Sequence, residues 1–134
     1  MKHRYLLDSD VFSLMVKGLD KAINQRMQSL ARGEAVLSVV TTGEFFYGAA
    51  HLPLSALKAQ RAQRLIDFFG VLPIGQEVSE AYGQLRAELR AKGTPIGPND
   101  LWLAAQAKAH GLVMVTRNGR EFKRVVGLEV EEWE

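Results

Sequence analysis

Five short apolar runs, separated by segments with helical periodicity, restrict the folds that this chain can adopt. The first four, at 4–7, 36–40, 71–74 and 112–116, are apolar enough to form strands covered on both faces, and a fifth strand is predicted at 128–130. Strands that alternate with helices are joined by right-handed crossovers, so the sequence predicts an α/β fold with a largely parallel sheet. The helices are predicted at 10–17, 20–31, 42–51, 54–69, 76–92 and 98–110.

The composition indicates one ordinary globular domain without cysteine chemistry. The chain has 134 residues, of which 47% are hydrophobic, enough to bury one core over residues 1–134 without crosslinks. It has no cysteine, which excludes thiol nucleophiles and cysteine-based metal sites, and its three histidines lack metal-ligand spacing. A bound metal would therefore be a hard cation held by oxygen. Because no run has the length of a signal peptide or membrane span, we expect a soluble, cytoplasmic protein.

The net charge of +2 hides a basic body and an acidic end. Eight Lys and Arg residues lie between positions 86 and 124, and four Glu residues lie between 129 and 134. This arrangement is compatible with a polyanionic substrate, although solvated helix faces have the same composition. Charge alone leaves both interpretations open.

Three acids and one amide stand where predicted elements begin or end. Asp8 directly follows the first strand, Glu44 comes four residues after the second, Asn118 comes two residues after the fourth, and Asp100 opens the last helix. Ligands of an open parallel sheet bind outside the carboxyl ends of its strands, so we expect these side chains at one edge, with a helix N-terminus beside them. Carboxylates gathered there repel one another unless a cation lies between them.

Each of these residues also has a purely local explanation. Thr41 and Glu44 fit a capping box, in which Thr41 caps a helix and Glu44 reaches back to its start. Asp100 fits a first-turn acid that complements the helix dipole, and Asp8 fits a helix cap. Asn118, followed by glycine, is typical of a turn. Local caps would scatter over the fold, whereas these four residues converge on one end of the predicted sheet.

Four segments resemble the signature segments of a nuclease family. They are YLLDSD at 5–10, SVVTTGEFFYGA at 38–49, PIGPNDLWLAA at 95–105 and VTRNGREF at 115–122, and GLEVEEW at 127–133 resembles that family's last strand. In this order and at these separations, the segments resemble PIN-domain ribonucleases, most closely the VapC-type toxins of bacterial toxin–antitoxin pairs.

The chain departs from the family pattern at three places. Asp10 stands where the family usually has Asn, and Thr42 and Gly43 replace a commonly apolar pair. Asn118 stands where many members carry Asp. The amide at that position predicts a weaker hold on a second metal ion.

The resemblance implies a fold, a metal centre and a reaction. The fold would be a PIN-like three-layer α/β/α sandwich with about five largely parallel strands. Asp8, Glu44 and Asp100 would be the catalytic metal-binding acids, supported by Asn118. Mg²⁺, or Mn²⁺ in its place, would be held directly by Asp8 and Asp100, and by Glu44 directly or through water. A water activated by the metal would attack the scissile phosphorus of RNA in line.

Further residues are expected to support this centre. Ser9 and Thr116 would hydrogen-bond the carboxylates or the metal's waters. Arg86, Arg90 and Arg117 are candidates for contacts with RNA phosphates. A solvated helix face, or a salt bridge to an acid of the chain, is the alternative for each arginine.

The resemblance also implies partners. The substrate would be RNA, with transfer RNA the commonest target of the family. A small VapB-like antitoxin would wrap the toxin and block the acidic pocket, and the toxin would form a homodimer. Promoter DNA would be bound only by the toxin–antitoxin complex, mainly through the antitoxin, and no membrane would be involved.

Three other classes of protein remain as alternatives. Asp8 and Asp10 resemble the nucleophile motif of haloacid-dehalogenase-like phosphohydrolases, but Phe12 stands where that motif has Thr or Val and no Asp-Asp pair follows. A receiver-like phosphoacceptor requires an Asp at the end of its middle strand, and the run at 71–74 ends without one. The third alternative is a PIN-like binding module that has lost catalysis, which the intact acids argue against.

Overall fold

Strands and helices alternate along the chain as the apolar pattern predicts. The computed structural model describes residues 3–134, and no helix within this range is long and apolar enough to cross a membrane. A 3₁₀ turn at Phe122–Arg124 precedes the last strand. The other elements are β1 Tyr5–Leu7, α1 Ser9–Lys17, α2 Lys21–Ser29, β2 Ala35–Ser38, α3 Val39–His51, α4 Ala56–Phe69, β3 Val71–Leu72, α5 Gln76–Ala91, α6 Pro98–His110, β4 Val113–Thr116 and β5 Val130–Glu132.

The five strands form one parallel sheet in the order β3-β2-β1-β4-β5. Side chains alternate across the central strand: Tyr5 and Leu7 pack with α1, α2 and α4, whereas Leu6 packs with α5 and α6. Each face of the sheet is therefore covered by helices. The predicted α/β/α sandwich with a parallel sheet is confirmed, and β1 lies at its centre.

The second strand is shorter than predicted, because Ser38 begins a helix. The hydroxyl of Ser38 accepts a hydrogen bond from the Val40 backbone N–H at 3.0 Å, so Val39 and Val40 form the first turn of α3 despite their preference for strands. The alternative, local explanation of Thr41 and Glu44 as a capping box is therefore wrong, because Ser38 caps this helix. Thr41 lies inside the helix and is buried.

The third strand was predicted over 71–74 as buried on both faces, and both parts of that prediction are wrong. The strand covers only Val71–Leu72 at the edge of the sheet, and Val71 is 38% exposed. Pro73 follows directly, and its missing N–H prevents further pairing. The fifth strand begins at Val130, two residues later than predicted.

Candidate active site

Asp8 stands at the carboxyl end of the central strand, where it caps α1. Its backbone N–H donates to the Val115 carbonyl at 2.9 Å, and its Oδ1 accepts from the Val11 N–H at 2.9 Å. The side chain is buried, with 4% of its surface exposed. The local explanation of Asp8 as a helix cap is thus correct, but capping occupies one carboxylate oxygen and leaves the other available.

Glu44 reaches the same region from α3. Its Oε1 accepts a hydrogen bond of 3.0 Å from the hydroxyl of Ser9, whose oxygen also lies 3.2 Å from that of Thr41. Ser9 therefore links the start of α1 to α3 and restricts the Glu44 side chain, which is otherwise exposed.

Asp100 lies in the first turn of α6 and is partly buried. The helix starts with Pro98 after Gly97, which has no side chain to cap it. Glu121 binds the capping residue itself, because its Oε1 accepts from the Gly97 N–H at 2.7 Å. The loop after β4 is thereby fastened to the helix that carries Asp100.

A cavity of about 500 Å³ brings together all four residues that stand at the predicted ends of elements: Asp8, Glu44, Asp100 and Asn118. Ser9 and Thr116, the expected supporting residues, line the same cavity. The Asn118 N–H donates to the Thr116 hydroxyl at 3.2 Å, and the Asn118 Oδ1 accepts from the Arg120 N–H at 3.1 Å. Asn118 therefore also shapes the local turn, as its alternative explanation predicts.

Two carboxyl groups of this cavity hold their protons unusually tightly. Burial raises the pKa of Asp8 to about 6, with smaller contributions from the charges of Asp10 and Glu44, while hydrogen bonds from Thr116 and Val11 oppose the rise. Burial also raises the pKa of Asp100 to about 6, and the nearby charges of Glu121, Asp8 and Asp10 add to it. Within residues 3–134, neither group forms a salt bridge with Lys or Arg that would offset this rise.

Sequence reasoning missed four charged residues of the cavity. Asp10 and Glu121 add two carboxylates, and Arg120 and Arg124 add two guanidinium groups. The last three follow Asn118 in the loop after β4, so their position beyond a strand's carboxyl end was a usable signal. The loop's path back towards α6 decides that they reach the site, and no local pattern specifies that path.

The three arginines predicted to contact phosphate do not line this cavity. Arg117 pairs with Asp20 at the start of α2, so its charge is already neutralised. Arg86 and Arg90 line a separate cavity of about 450 Å³, together with Pro95 and Pro98. The first turn of α6 borders both cavities, since Pro98 lines this one and Asp100 lines the acidic one.

The donor chemistry of the acidic cavity fits a hard divalent cation, since its acids and Asn118 offer only oxygen and amide groups. As they stand, however, no three acidic or histidine side chains in residues 3–134 are close enough together to enclose an ion. Binding a cation therefore requires side-chain rotation; the exposed Glu44 would either leave its hydrogen bond with Ser9 or rotate about it.

Comparisons with known proteins agree with this fold over its whole length. The PIN domain family matches residues 5–128. The tRNA(fMet)-specific endonuclease VapC of Shigella flexneri is 32% identical over 130 residues, covering 97% of this chain and 98% of that protein. The structure of VapBC2 from Rickettsia felis bound to a DNA fragment from their promoter matches with a TM-score of 0.88 and 25% identity, over 100% of both chains. DNA-bound VapBC from Salmonella typhimurium matches with a TM-score of 0.83 and 33% identity, again over 100% of both chains.

The parallel sandwich and the family match define a PIN domain, and the chain belongs to the PIN-domain family. Within that family, its full-length similarity to curated ribonucleases makes it a member of the VapC group. PIN-domain nucleases generally use divalent metal ions, and the acids at the end of β1, in α3 and at the start of α6 are the residues of this chain that suit such an ion.

Proposed function

We propose that this chain, as a single PIN domain over residues 1–134, is a Mg²⁺-dependent endoribonuclease and the toxin of a toxin–antitoxin pair. The observation that carries the proposal is the convergence of Asp8, Glu44 and Asp100, from three separate elements, on one cavity. Within residues 3–134, none of these acids forms a salt bridge with Lys or Arg. Carboxylates that are gathered in one cavity and not directly paired with Lys or Arg are suited to an external cation.

The proposed roles follow from position and hydrogen bonding. Asp8 and Asp100 would hold Mg²⁺, or Mn²⁺ in its place, directly, and Glu44 would hold it directly or through water, with Asn118 in support. When bound, the cation supplies an activated water and neutralises charge that develops on the phosphate.

The chain's own groups prepare this site before any ion arrives. The Val11 N–H donates to one oxygen of Asp8, and the Ser9 hydroxyl donates to one oxygen of Glu44. The Asp8 and Glu44 side chains are thereby restricted in orientation. The N-terminus of α6 adds a positive dipole end, which favours the charged form of Asp100 and an anionic phosphate near it.

Substrate and partners are proposed from the relatives. The Shigella flexneri protein is named as specific for tRNA(fMet), so we propose transfer RNA as the substrate. The matched Rickettsia felis and Salmonella typhimurium structures are VapBC complexes bound to DNA, so we propose a VapB-like antitoxin and promoter binding by the complex. A homodimer in the cytoplasm completes this proposal. Arg86 and Arg90 remain candidates for contacts with RNA outside the cavity; Arg117 would serve only if it released Asp20.

Cleavage of total transfer RNA by the purified protein, with mapping of the new RNA ends, tests the proposal. We expect a discrete cut with Mg²⁺ or Mn²⁺, no cut with excess chelator, and no cut by Asp100→Asn. Beryllofluoride separates the alternatives, because it would label an aspartyl phosphohydrolase or a receiver-like phosphoacceptor and would leave a nuclease unaffected. If no RNA is cleaved in the presence of Mg²⁺ or Mn²⁺, the proposed ribonuclease function is refuted, whether or not beryllofluoride labels an aspartate.

A further inference from the structure

Four basic side chains follow β4 within eight residues, and the fold divides them into two pairs. Arg117 is paired with Asp20, and the Lys123 Nζ lies 3.0 Å from Glu132. These two charges are neutralised by acids of neighbouring elements. Arg120 and Arg124 instead line the acidic cavity, and neither forms a salt bridge within residues 3–134.

Arg124 is held near the acids without pairing with them. Its Nη1 donates to the carbonyl oxygen of Pro95 at 2.8 Å, a neutral partner that leaves its positive charge uncompensated. A guanidinium has five N–H donors, so most remain available for another acceptor. The side chain of Arg120 makes no hydrogen bond to the described part of the chain and is exposed.

The turn that carries both arginines is firmly anchored. Phe122, between them, is 2% exposed and packs in the core. The Lys123 N–H donates to the Gly119 carbonyl at 2.8 Å, and the Glu132 carboxylate accepts from the Gly119 N–H at 3.0 Å. The backbone at positions 120 and 124 is therefore fixed at the mouth of the cavity, so only the two side chains need to adjust to a ligand.

The five carboxylates of the cavity repel an RNA backbone, and positive side chains beside them offset that repulsion in addition to any bound cation. Guanidinium groups bind phosphate with two parallel hydrogen bonds, and contacts of this kind position a nucleic acid strand. We propose that Arg120 and Arg124 bind backbone phosphates next to the phosphate that is cleaved. This inference rests on the proposed ribonuclease function and assigns its phosphate contacts to residues inside the active cavity.

The same contacts define a path for the RNA strand beyond the acidic cavity. Pro95, the partner of Arg124, also lines the second cavity, which contains Arg86 and Arg90. Arg124 thus stands between the acidic cavity and a second pair of arginines. A strand that leaves the cavity over Arg124 continues along these basic residues and away from the acids.

The test replaces Arg120 and Arg124 by Gln, singly and together. Lys123→Gln is the matched control, because it removes the same charge from the same turn but on the side facing Glu132. Binding of fluorescein-labelled initiator transfer RNA is measured in EDTA over a series of salt concentrations, and cleavage kinetics are measured with Mg²⁺. Arg124→Lys separates charge from bidentate geometry. Thermal unfolding checks each variant, and Arg120→Gln carries the test if loss of the Pro95 contact unfolds the Arg124 variant.

We expect each Arg→Gln substitution to raise KM and weaken RNA binding about tenfold or more, with little change in kcat. The slope of log affinity against log salt should fall by about 0.7–0.9 for each lost phosphate contact, a change that a merely structural role would not produce. Arg124→Lys should keep the slope and lose part of the affinity. Lys123→Gln should remain within about twofold of the wild type.

Three results would overturn the assignment. One is a salt slope for both Arg→Gln variants equal to that of Lys123→Gln. Another is RNA binding by both Arg→Gln variants within about twofold of the wild type, which would leave the pair without a role in RNA binding. The third is a wild-type protein that binds no RNA in EDTA. Binding is measured without metal, so it tests the arginines independently of cleavage. A protein that binds RNA but does not cleave it would contradict the proposed function, and the binding data would still show whether Arg120 and Arg124 contact phosphate.

Discussion

Asp8 and Asp20 perform the same structural task at two successive helices, but they do so in opposite electrostatic surroundings. Each accepts a hydrogen bond from the backbone N–H three residues later, Val11 at 2.9 Å and Ile23 at 3.0 Å. Hydrogen bonds from Ile23 and Arg117 lower the pKa of Asp20 below its usual range, whereas burial raises the pKa of Asp8 to about 6.

A helix cap and a cation site require different surroundings of an aspartate. A cap needs one carboxylate oxygen near a backbone N–H, and both residues provide it. A cap gains nothing from burial beside other acids with no Arg or Lys partner among residues 3–134, and of these two capping residues only Asp8 has such surroundings. We attribute that difference to the proposed metal centre.

The largest expected effect is on cleavage. Asn caps helices nearly as well as Asp, so Asp8→Asn and Asp20→Asn should both keep their helices. Asp8→Asn should lower kcat/KM more than about 100-fold. Loss of a group that only orients a metal ligand already lowers activity about 10–100-fold, and Asp8 is proposed to bind the metal directly. Asp20→Asn should stay within about twofold. Initial rates of RNA-end formation in excess Mg²⁺ measure both, and equal rates for the two variants would contradict the comparison.

The next effect is on the pH dependence of stability without metal. The pKa of Asp8 is about 6 in the folded protein and 3.8 in the reference state, so its folded form binds the proton more tightly. The free energy of unfolding should therefore fall as pH rises between about 4 and 6, by about 3 kcal/mol at most from Asp8. Urea unfolding in EDTA should show Asp8→Asn more stable than the wild type at about pH 7 and equal to it below about pH 4.

Asp20 should behave in the opposite sense in the same experiment. Its lowered pKa stabilises the fold above the usual carboxyl pKa, and this stabilisation is lost as pH falls through the folded value. Asp20→Asn should therefore be less stable than the wild type at neutral pH, with the difference vanishing in acid. A stabilising Asp20→Asn, or a destabilising Asp8→Asn, would reverse the assignment of the two sites.

Mg²⁺ itself should distinguish the two aspartates by a smaller amount. An ion that binds only the folded state adds about 2.7 kcal/mol of stability at 100 times its Kd. Wild type and Asp20→Asn should therefore show equal increases in melting temperature on adding Mg²⁺, and Asp8→Asn should show almost none. Differential scanning fluorimetry measures this shift, with Ca²⁺ and Na⁺ as comparison ions. A full shift in Asp8→Asn would place the ion elsewhere.

The smallest expected effect comes from the group next to Asp8. Ser9→Ala removes the hydrogen bond to Glu44 but no charge, so kcat should fall about tenfold through loss of orientation. Ser13→Ala, at an exposed position on the same helix, is the control and should leave kcat unchanged. If both serine variants cleave at the wild-type rate, Glu44 does not depend on Ser9 for its position.

Much of this arrangement could be predicted from sequence, because apolar runs mark the strands and their alternation with helices indicates a parallel sheet. The run at 5–7 forms the central strand, and Asp8 lies at its carboxyl end as the pattern requires. The predictions were wrong where a capping side chain or the position of a strand in the sheet outweighs the secondary-structure propensity of the residues. Ser38 caps a helix that begins at Val39, and the edge position of β3 leaves Val71 partly exposed.

The rest of the site depends on contacts between distant parts of the chain. Glu121 meets Gly97 across 24 positions, and Arg117 meets Asp20 across 97. Charged residues recur throughout 117–124, so no local sequence pattern distinguishes those that form salt bridges from those that line the cavity. Only the packing of the loop after β4 against α2, β5 and α6 separates them.

The burial of Asp8 also bears on how such a protein loses its activity over generations. A single base change that replaces Asp8 by Asn would remove an unfavourable buried charge and keep the helix cap, so the inactive copy should fold at least as well as its parent. Quality control that recognises misfolding could not eliminate it. Inactive descendants of this protein should therefore persist as abundant, well-folded molecules, and some could still occupy an inhibitor intended for the active form.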